Sequence, residues 1–115
     1  MEAIAHARFQ RYGSRKVAQV LDQVRGRSVW KAAQLLPRVP RAASLLVSKT
    51  LRCATANLDV RAGRKLDPHR VFVSQAWVGK GPMRQMRRVM PGPQGRALTF
   101  KRKVCHLTLV VTSEK

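Results

Sequence analysis

The sequence predicts an α+β fold: three helices packed on a small antiparallel three-stranded sheet, with a long protruding β-hairpin. Three observations carry this expectation. Apolar residues recur at helical spacing between Ser14 and Leu58. They alternate at strand spacing over Val71–Val78 and again over Val104–Thr112, and about twenty-five residues rich in Gly, Pro, Met and Arg separate those two runs.

Taken in order, Ala3–Phe9 reads as an edge strand that adds a third member to the sheet. Ser14 is suited to cap a first helix, in which Val17, Val20, Leu21 and Val24 form one face until Gly26 stops it. Ser28 caps a brief second helix through Val29, Trp30, Ala32, Ala33, Leu35 and Leu36, which Pro37 and Pro40 forbid from continuing. The third and longest helix runs from about Arg41 to Leu58, with Ala43, Leu46, Val47, Thr50, Ala54 and Leu58 as its buried stripe and Arg41, Ser44, Lys49 and Arg52 opposite. Cys53 in this helix is expected to be a small buried hydrophobe, and Trp30 and Trp77 are expected in the core. After a connection over Asn57–Pro68, Val71, Phe72, Val73, Trp77 and Val78 read as a strand. Its partner is the last strand, where Cys105, Leu107, Leu109 and Val111 face the helices and His106, Thr108 and Thr112 alternate with them.

The composition excludes most functions. The chain has 115 residues, with 24 Lys plus Arg against 5 Asp plus Glu and a formal charge of +19. That length supports one small core, and the 44% hydrophobic residues suffice to form it. An excess charge of this size repels itself in the folded state and calls for an anionic partner. No paired carboxylates occur, and no nucleophile is placed by motif beside His6, His69 or His106, so no enzyme is expected. Cys53 and Cys105 lie far apart, without the spacing of a zinc site or a disulfide scaffold; neither metal nor cofactor is expected, and a reducing compartment fits. The amino terminus has no basic run ahead of an apolar one, and no stretch approaches a membrane span, so neither export nor a membrane partner is expected.

Charge is distributed unevenly. From Pro68 to Ser113 there is no carboxylate, while Arg70, Lys80, Arg84, Arg87, Arg88, Arg96, Lys101, Arg102 and Lys103 all fall there. Gly79, Gly81 and Pro82 mark a bend, and Pro91, Gly92, Pro93 and Gly95 mark a reversal, so the residues between extend as two arms of a ribbon. Fourteen extended residues reach roughly 45 Å, far beyond the ~13 Å radius of gyration of such a domain. A lone two-stranded ribbon is marginal in water and needs an external wall; folded RNA supplies one, its phosphates matching guanidinium forks. Met83, Met86 and Met90 are read as gap-fillers within this ribbon.

The same residues carry a resemblance. Ser14-Arg15-Lys16-Val17, Val24-Arg25-Gly26-Arg27, Ala54–Asn57, Gly81-Pro82 leading into Arg87-Arg88-Val89-Met90-Pro91, Gly95-Arg96-Ala97, and Lys101-Arg102 before His106-Leu107-Thr108 occur in one order along nearly the whole chain. In this the sequence resembles bacterial large-subunit ribosomal protein number 22. The resemblance implies a structural constituent of the large ribosomal subunit that binds large-subunit ribosomal RNA, supports its assembly and lines the nascent-polypeptide exit tunnel with the hairpin. It implies neighbouring large-subunit ribosomal proteins and, transiently, the nascent polypeptide as further partners, in a cytoplasmic ribosome or alternatively an organellar one. The expected organisation is one RNA-binding domain over residues 1–115, globular over about 1–78 and 104–115 and extended over about 79–103. The sequence departs from the pattern of the family it resembles in having Gly79 and Lys80 where members often have an acid, and a tip without their further basic residues.

The residues expected to bind RNA are Arg8, Arg11, Arg15, Lys16, Arg25, Arg27, Lys80, Arg84, Arg87, Arg88, Arg96, Lys101, Arg102 and Lys103, with Met90, Pro91, Gly92, Pro93, Gln94 and Gly95 as the hairpin tip. Arg15 and Lys16 oppose the dipole at a helix start, which favours a phosphate contact there. The charge alone also admits an architectural DNA-binding protein of nucleoid type. A membrane-active cationic protein fits poorly, because the basic residues face no single apolar stripe.

Overall fold

The computed structural model describes residues 1–82 and 87–113. In chain order these form β1 (Glu2–Gln10), α1 (Ser14–Val24), α2 (Val29–Leu35), α3 (Ala43–Ala62), β2 (Val71–Lys80), β3 (Arg87–Pro91), β4 (Ala97–Lys101) and β5 (Cys105–Ser113). The architecture is α+β. An antiparallel sheet of order β1-β5-β2 carries the helices on one face, and β3 and β4 pair separately as the hairpin.

The core follows the apolar stripes. Val17, Val20, Leu21 and Val24 of α1 and Ala43, Leu46, Val47, Thr50, Leu51, Ala54 and Leu58 of α3 are buried against Ala3 and Ala5 of β1, Val71 and Val73 of β2, and Cys105, Leu107, Leu109 and Val111 of β5. Thr50 is tolerated there because its hydroxyl donates to the Leu46 carbonyl at 2.9 Å. The expected Ser28 cap is present, its Oγ accepting the Lys31 N–H at 3.3 Å. A 3₁₀ turn containing Pro37 follows α2.

Four expectations are corrected. Gly13, not Ser14, is the cap residue of α1, and no side chain caps its first turn. The third helix does not end at Leu58 but runs four residues further, past its last buried position, to Gly63, whose φ of 72° suits the left-handed helix end. Cys53 is exposed, because it sits on the Arg52 side of α3 while Leu51 and Ala54 face inward. Trp30 and Trp77 are 43% and 48% exposed. On α2 the inward positions are Val29 and Ala32, so Trp30 turns out to stack on His69 with ring centroids 4.7 Å apart. On β2 the pairing register shifts between Val73 and Gln75, so the inward parity passes from Val71 and Val73 to Ala76, which points Trp77 outward.

The two thiols should therefore differ sharply. Burial pushes the Cys105 thiol above its ordinary value of 9.0, against a smaller lowering by a hydrogen bond from the Tyr12 backbone. Titration of the native chain with a thiol reagent near pH 8 is expected to modify Cys53 promptly and Cys105 only after unfolding. The sign for stability follows: the contribution of the neutral Cys105 thiol is complete below about pH 9 and is lost as pH rises above it.

The hairpin gives the molecule its shape. The principal extents are 65 × 26 × 16 Å and the radius of gyration is 17.4 Å, against about 13 Å for a compact chain of this length. At its turn Gln94 (φ 58°, ψ 36°) and Gly95 (φ 70°) both have positive φ, and the Arg96 N–H donates to the Pro93 carbonyl at 3.3 Å, as in a type I′ turn. The left-handed conformation is disfavoured for Gln. Gln94→Asn, which makes the Asn-Gly pair such turns prefer, is expected to gain up to about 1 kcal/mol locally. Hydrogen exchange of the Gly92 and Arg96 amides should slow several-fold, and Gln94→Val should accelerate it.

Candidate nucleic-acid interface

The root of the hairpin meets the start of α1. Gly81 donates its N–H to the Val104 carbonyl at 2.7 Å, pinning the outgoing arm to the chain just before β5. Contact is so close that a Cβ on Gly81 would lie 2.7 Å from Val104 Cγ1 and 3.2 Å from its carbonyl carbon. This junction leaves a cleft of about 700 Å³ lined by Arg11, Gly13, Ser14, Arg15, Lys16, Lys80, Arg102, Lys103 and Val104. Six of these nine residues are cations and none is an acid.

The uncapped first turn of α1 belongs to the same cleft, where free backbone N–H groups and the positive helix end add to the side-chain charge. Among the described residues nothing internal neutralises it. Arg25–Asp22 is the one ion pair among the described residues. Asp59 and Asp67 accept backbone N–H groups of Leu66 and His69 at 3.1 and 3.0 Å, and neither lines the cleft. Six like charges around an open concavity favour an extended polyanion over a neutral ligand.

The structure thus brings together six of the expected RNA-binding residues: Arg11, Arg15, Lys16, Lys80, Arg102 and Lys103. Others lie apart. Arg8 is exposed on β1, and Arg27 is exposed beside the clip in which Gly26 and Arg27 exchange backbone hydrogen bonds with Val73. Arg25 is turned to internal use, its Nε donating to the Ala76 carbonyl at 2.7 Å and its Nη1 pairing with Asp22. Arg87, Arg88 and Lys101 lie on the ribbon and Arg96 at its turn. Arg84, with Met83 and Met86, lies outside the described residues.

Along the ribbon Arg87 pairs with Lys101, Arg88 with Phe100, Val89 with Thr99, Met90 with Leu98 and Pro91 with Ala97. Strand alternation places Arg87, Lys101, Val89 and Thr99 on one face and Arg88, Phe100, Met90 and Leu98 on the other. All ten strand residues are exposed. Met90, 54% exposed, therefore fills no gap within the described residues, contrary to expectation, because the ribbon has no core behind it. Setting Arg87 directly across from Lys101 repels, so the ribbon is electrostatically unfavourable until an anion lies against it. Met90 and Pro91 of the expected tip belong to β3, while Gly92, Pro93, Gln94 and Gly95 form the turn.

Sequence reasoning missed the backbone part of the cleft, Gly13 and Val104, because its signal is the close approach of segments ninety residues apart. The family described as ribosomal protein L22p/L17e matches residues 5–112. The large ribosomal subunit protein uL22 of Endomicrobium trichonymphae is 42% identical over 112 residues, 97% of this chain and 92% of the relative. That of Clostridium tetani is 40% identical over 111 residues, 96% of both chains, and that of Prochlorococcus marinus strain AS9601 is 39% identical over 112 residues, 97% of this chain and 84% of the relative. Since the match runs from the first strand to the last and takes in the cationic cleft and the ribbon alike, the chain belongs to the ribosomal protein L22p/L17e family, whose members are structural and not enzymatic.

Proposed function

We propose that the chain is a structural constituent of the large subunit of the cytoplasmic ribosome, binding large-subunit ribosomal RNA and supporting its assembly. The observation that carries this reading is the acid-free cleft, where six cations from the α1 start and both hairpin roots converge. Residues 1–115 act as one RNA-binding domain: the part over 1–78 and 104–115, together with the hairpin roots at Lys80, Arg102 and Lys103, docks through the cleft, and the rest of the hairpin over 79–103 lines the nascent-polypeptide exit tunnel. On the ribbon, the Arg87–Lys101 face is suited to the RNA wall, and the Met90–Leu98–Phe100 face to transient, nonspecific contact with a passing peptide. Neighbouring large-subunit proteins complete the site.

Two measurements test the reading. The tagged chain should travel with large subunits at one copy each through a salt-washed sucrose gradient. In gel-shift competition, large-subunit RNA should displace the protein from duplex DNA at moderate salt. Equal affinity for the two polymers would support an architectural DNA binder and defeat this assignment.

A further inference from the structure

The sheet has a second face, opposite the helices, and its composition is unlike that of a solvated surface. Register places His6, Thr108 and Trp77 side by side across β1, β5 and β2, and the next row holds His106 beside Gly79. At the end of β1 the pairing shifts between Ala7 and Gln10, and Phe9 within this irregularity takes a φ of 56°. Bulky aromatic residues rarely adopt this left-handed conformation, and such strain concentrates at functional positions. Here it turns the Phe9 ring edge-on to His106, with centroids 4.8 Å apart, while the Phe9 N–H donates to His106 Nδ1 at 3.0 Å. That bond makes Nδ1 the acceptor, so in the neutral ring Nε2 carries the proton. Phe9 nevertheless remains 65% exposed, and Trp77 48%.

The surface beside Trp77 and His106 is open at Gly79. A Cβ on Gly79 would meet nothing within 4 Å, and two strand spacings, about 10 Å, separate the β1 and β2 backbones across β5. Charge is arranged to match. Arg8 is exposed on β1 at this end of the sheet, whereas Glu2, paired with Thr112, lies at the opposite end. The row of Phe9, His106 and Gly79 leads directly into the cationic cleft, since Arg11, Lys80 and Lys103 follow or precede these residues by one to three positions.

We propose that this open sheet face is a stacking platform for an unpaired base of a single-stranded RNA segment whose phosphates lie in the adjoining cleft. Phe9 and Trp77 offer apolar rings from the two outer strands, Gly79 leaves room beside Trp77, and His106 between the strands offers a hydrogen-bond donor to a base edge. The inference rests on the RNA-binding reading of the cleft and adds a base-recognising surface to it.

The test uses the full-length Trp30→Phe protein, in which Trp77 is the sole indole. Its fluorescence is titrated with a single-stranded oligoadenylate of about eight nucleotides and with an abasic ribose-phosphate strand of equal length. The oligoadenylate should quench Trp77 and bind more tightly than the abasic strand. Phe9→Leu and Gly79→Val, each checked for folding by thermal midpoint, should each lower oligoadenylate affinity about tenfold without changing its salt slope. Equal affinity for the abasic strand, or unchanged affinity in both folded variants, would overturn the platform. Shielding of Trp77 by another ribosomal protein but not by RNA would do the same. Should the platform fail while large-subunit RNA still binds and loses affinity on Arg15→Ala/Lys16→Ala, the cleft reading survives; absence of binding to large-subunit RNA would remove both.

Discussion

Replacing Arg15, Lys16, Arg102 and Lys103 together by alanine is expected to lower affinity for large-subunit RNA on the order of a thousandfold near 0.1 M salt, from four phosphate contacts at roughly 0.7–0.9 in log–log slope each. The slope of affinity against salt should itself fall by about 3. These four side chains converge on the cleft from two segments distant in sequence, so the loss should exceed that from removing four cations scattered over the exposed faces, such as Arg38, Arg41, Lys49 and Arg52. Thermal stability provides the control. None of the four cleft residues forms an ion pair among the described residues, and removing like charges relieves repulsion, so the midpoint should hold or rise. A large fall in the midpoint would mean that these residues hold the fold, and the affinity change would then say nothing about phosphates. An unchanged salt slope would remove the cleft from the interface.

Gly81→Ala should displace the hairpin root. The added Cβ would meet Val104 at 2.7 Å through a methyl group and at 3.2 Å through the backbone carbon. The methyl can rotate away, but the carbonyl carbon is held by the 2.7 Å hydrogen bond from the Gly81 N–H. Relief therefore requires the two arms to separate. Overpacking of this kind costs about 1–3 kcal/mol, or roughly 4–12 °C in thermal midpoint for a chain of this size. The damage should be local as well, seen as faster amide exchange at Gly81 and faster proteolysis of the ribbon. RNA affinity should fall too, because Lys80, Arg102 and Lys103 are aimed by this junction. Adding Val104→Ala removes the clashing methyl groups, so the double variant should recover more stability than the two separate costs predict. Simple additivity would show that the close approach is not the cause.

Particular residues show how far the sequence reaches. The buried stripe Ala43, Leu46, Val47, Thr50, Ala54 and Leu58 was legible because helical periodicity is a local property, and so were the Ser28 cap and the inward alternation of Cys105, Leu107, Leu109 and Val111. Trp77 was not legible. A one-residue register shift at Ser74 reverses which side of β2 faces the helices, and the shift is set by pairing with β5, more than thirty residues away. Trp30 was misread too: Val29, Trp30, Ala32 and Ala33 are all apolar, and only packing shows that Val29 and Ala32 form the inner face of α2. Cys53 was misread as buried although the stripe it adjoins was read correctly. The end of α3 was missed because the helix outlasts its buried stripe and stops only where Gly63 permits the left-handed turn.

Composition and local order fixed the chemistry: an excess of 19 positive charges, no acid from Pro68 to Ser113, and a ribbon punctuated by Gly and Pro, which together call for a polyanionic partner. Only the tertiary structure decided which cations act together. Arg11, Arg15 and Lys16 become neighbours of Lys80, Arg102 and Lys103 because β1 and β2 finish, and β5 begins, at the same end of one sheet, while Arg25, equally basic in sequence, is held on the surface by Asp22 and the Ala76 carbonyl. Charge is a sum over residues and is read directly from the chain, whereas a binding site depends on distances between distant segments, which chain pairing sets.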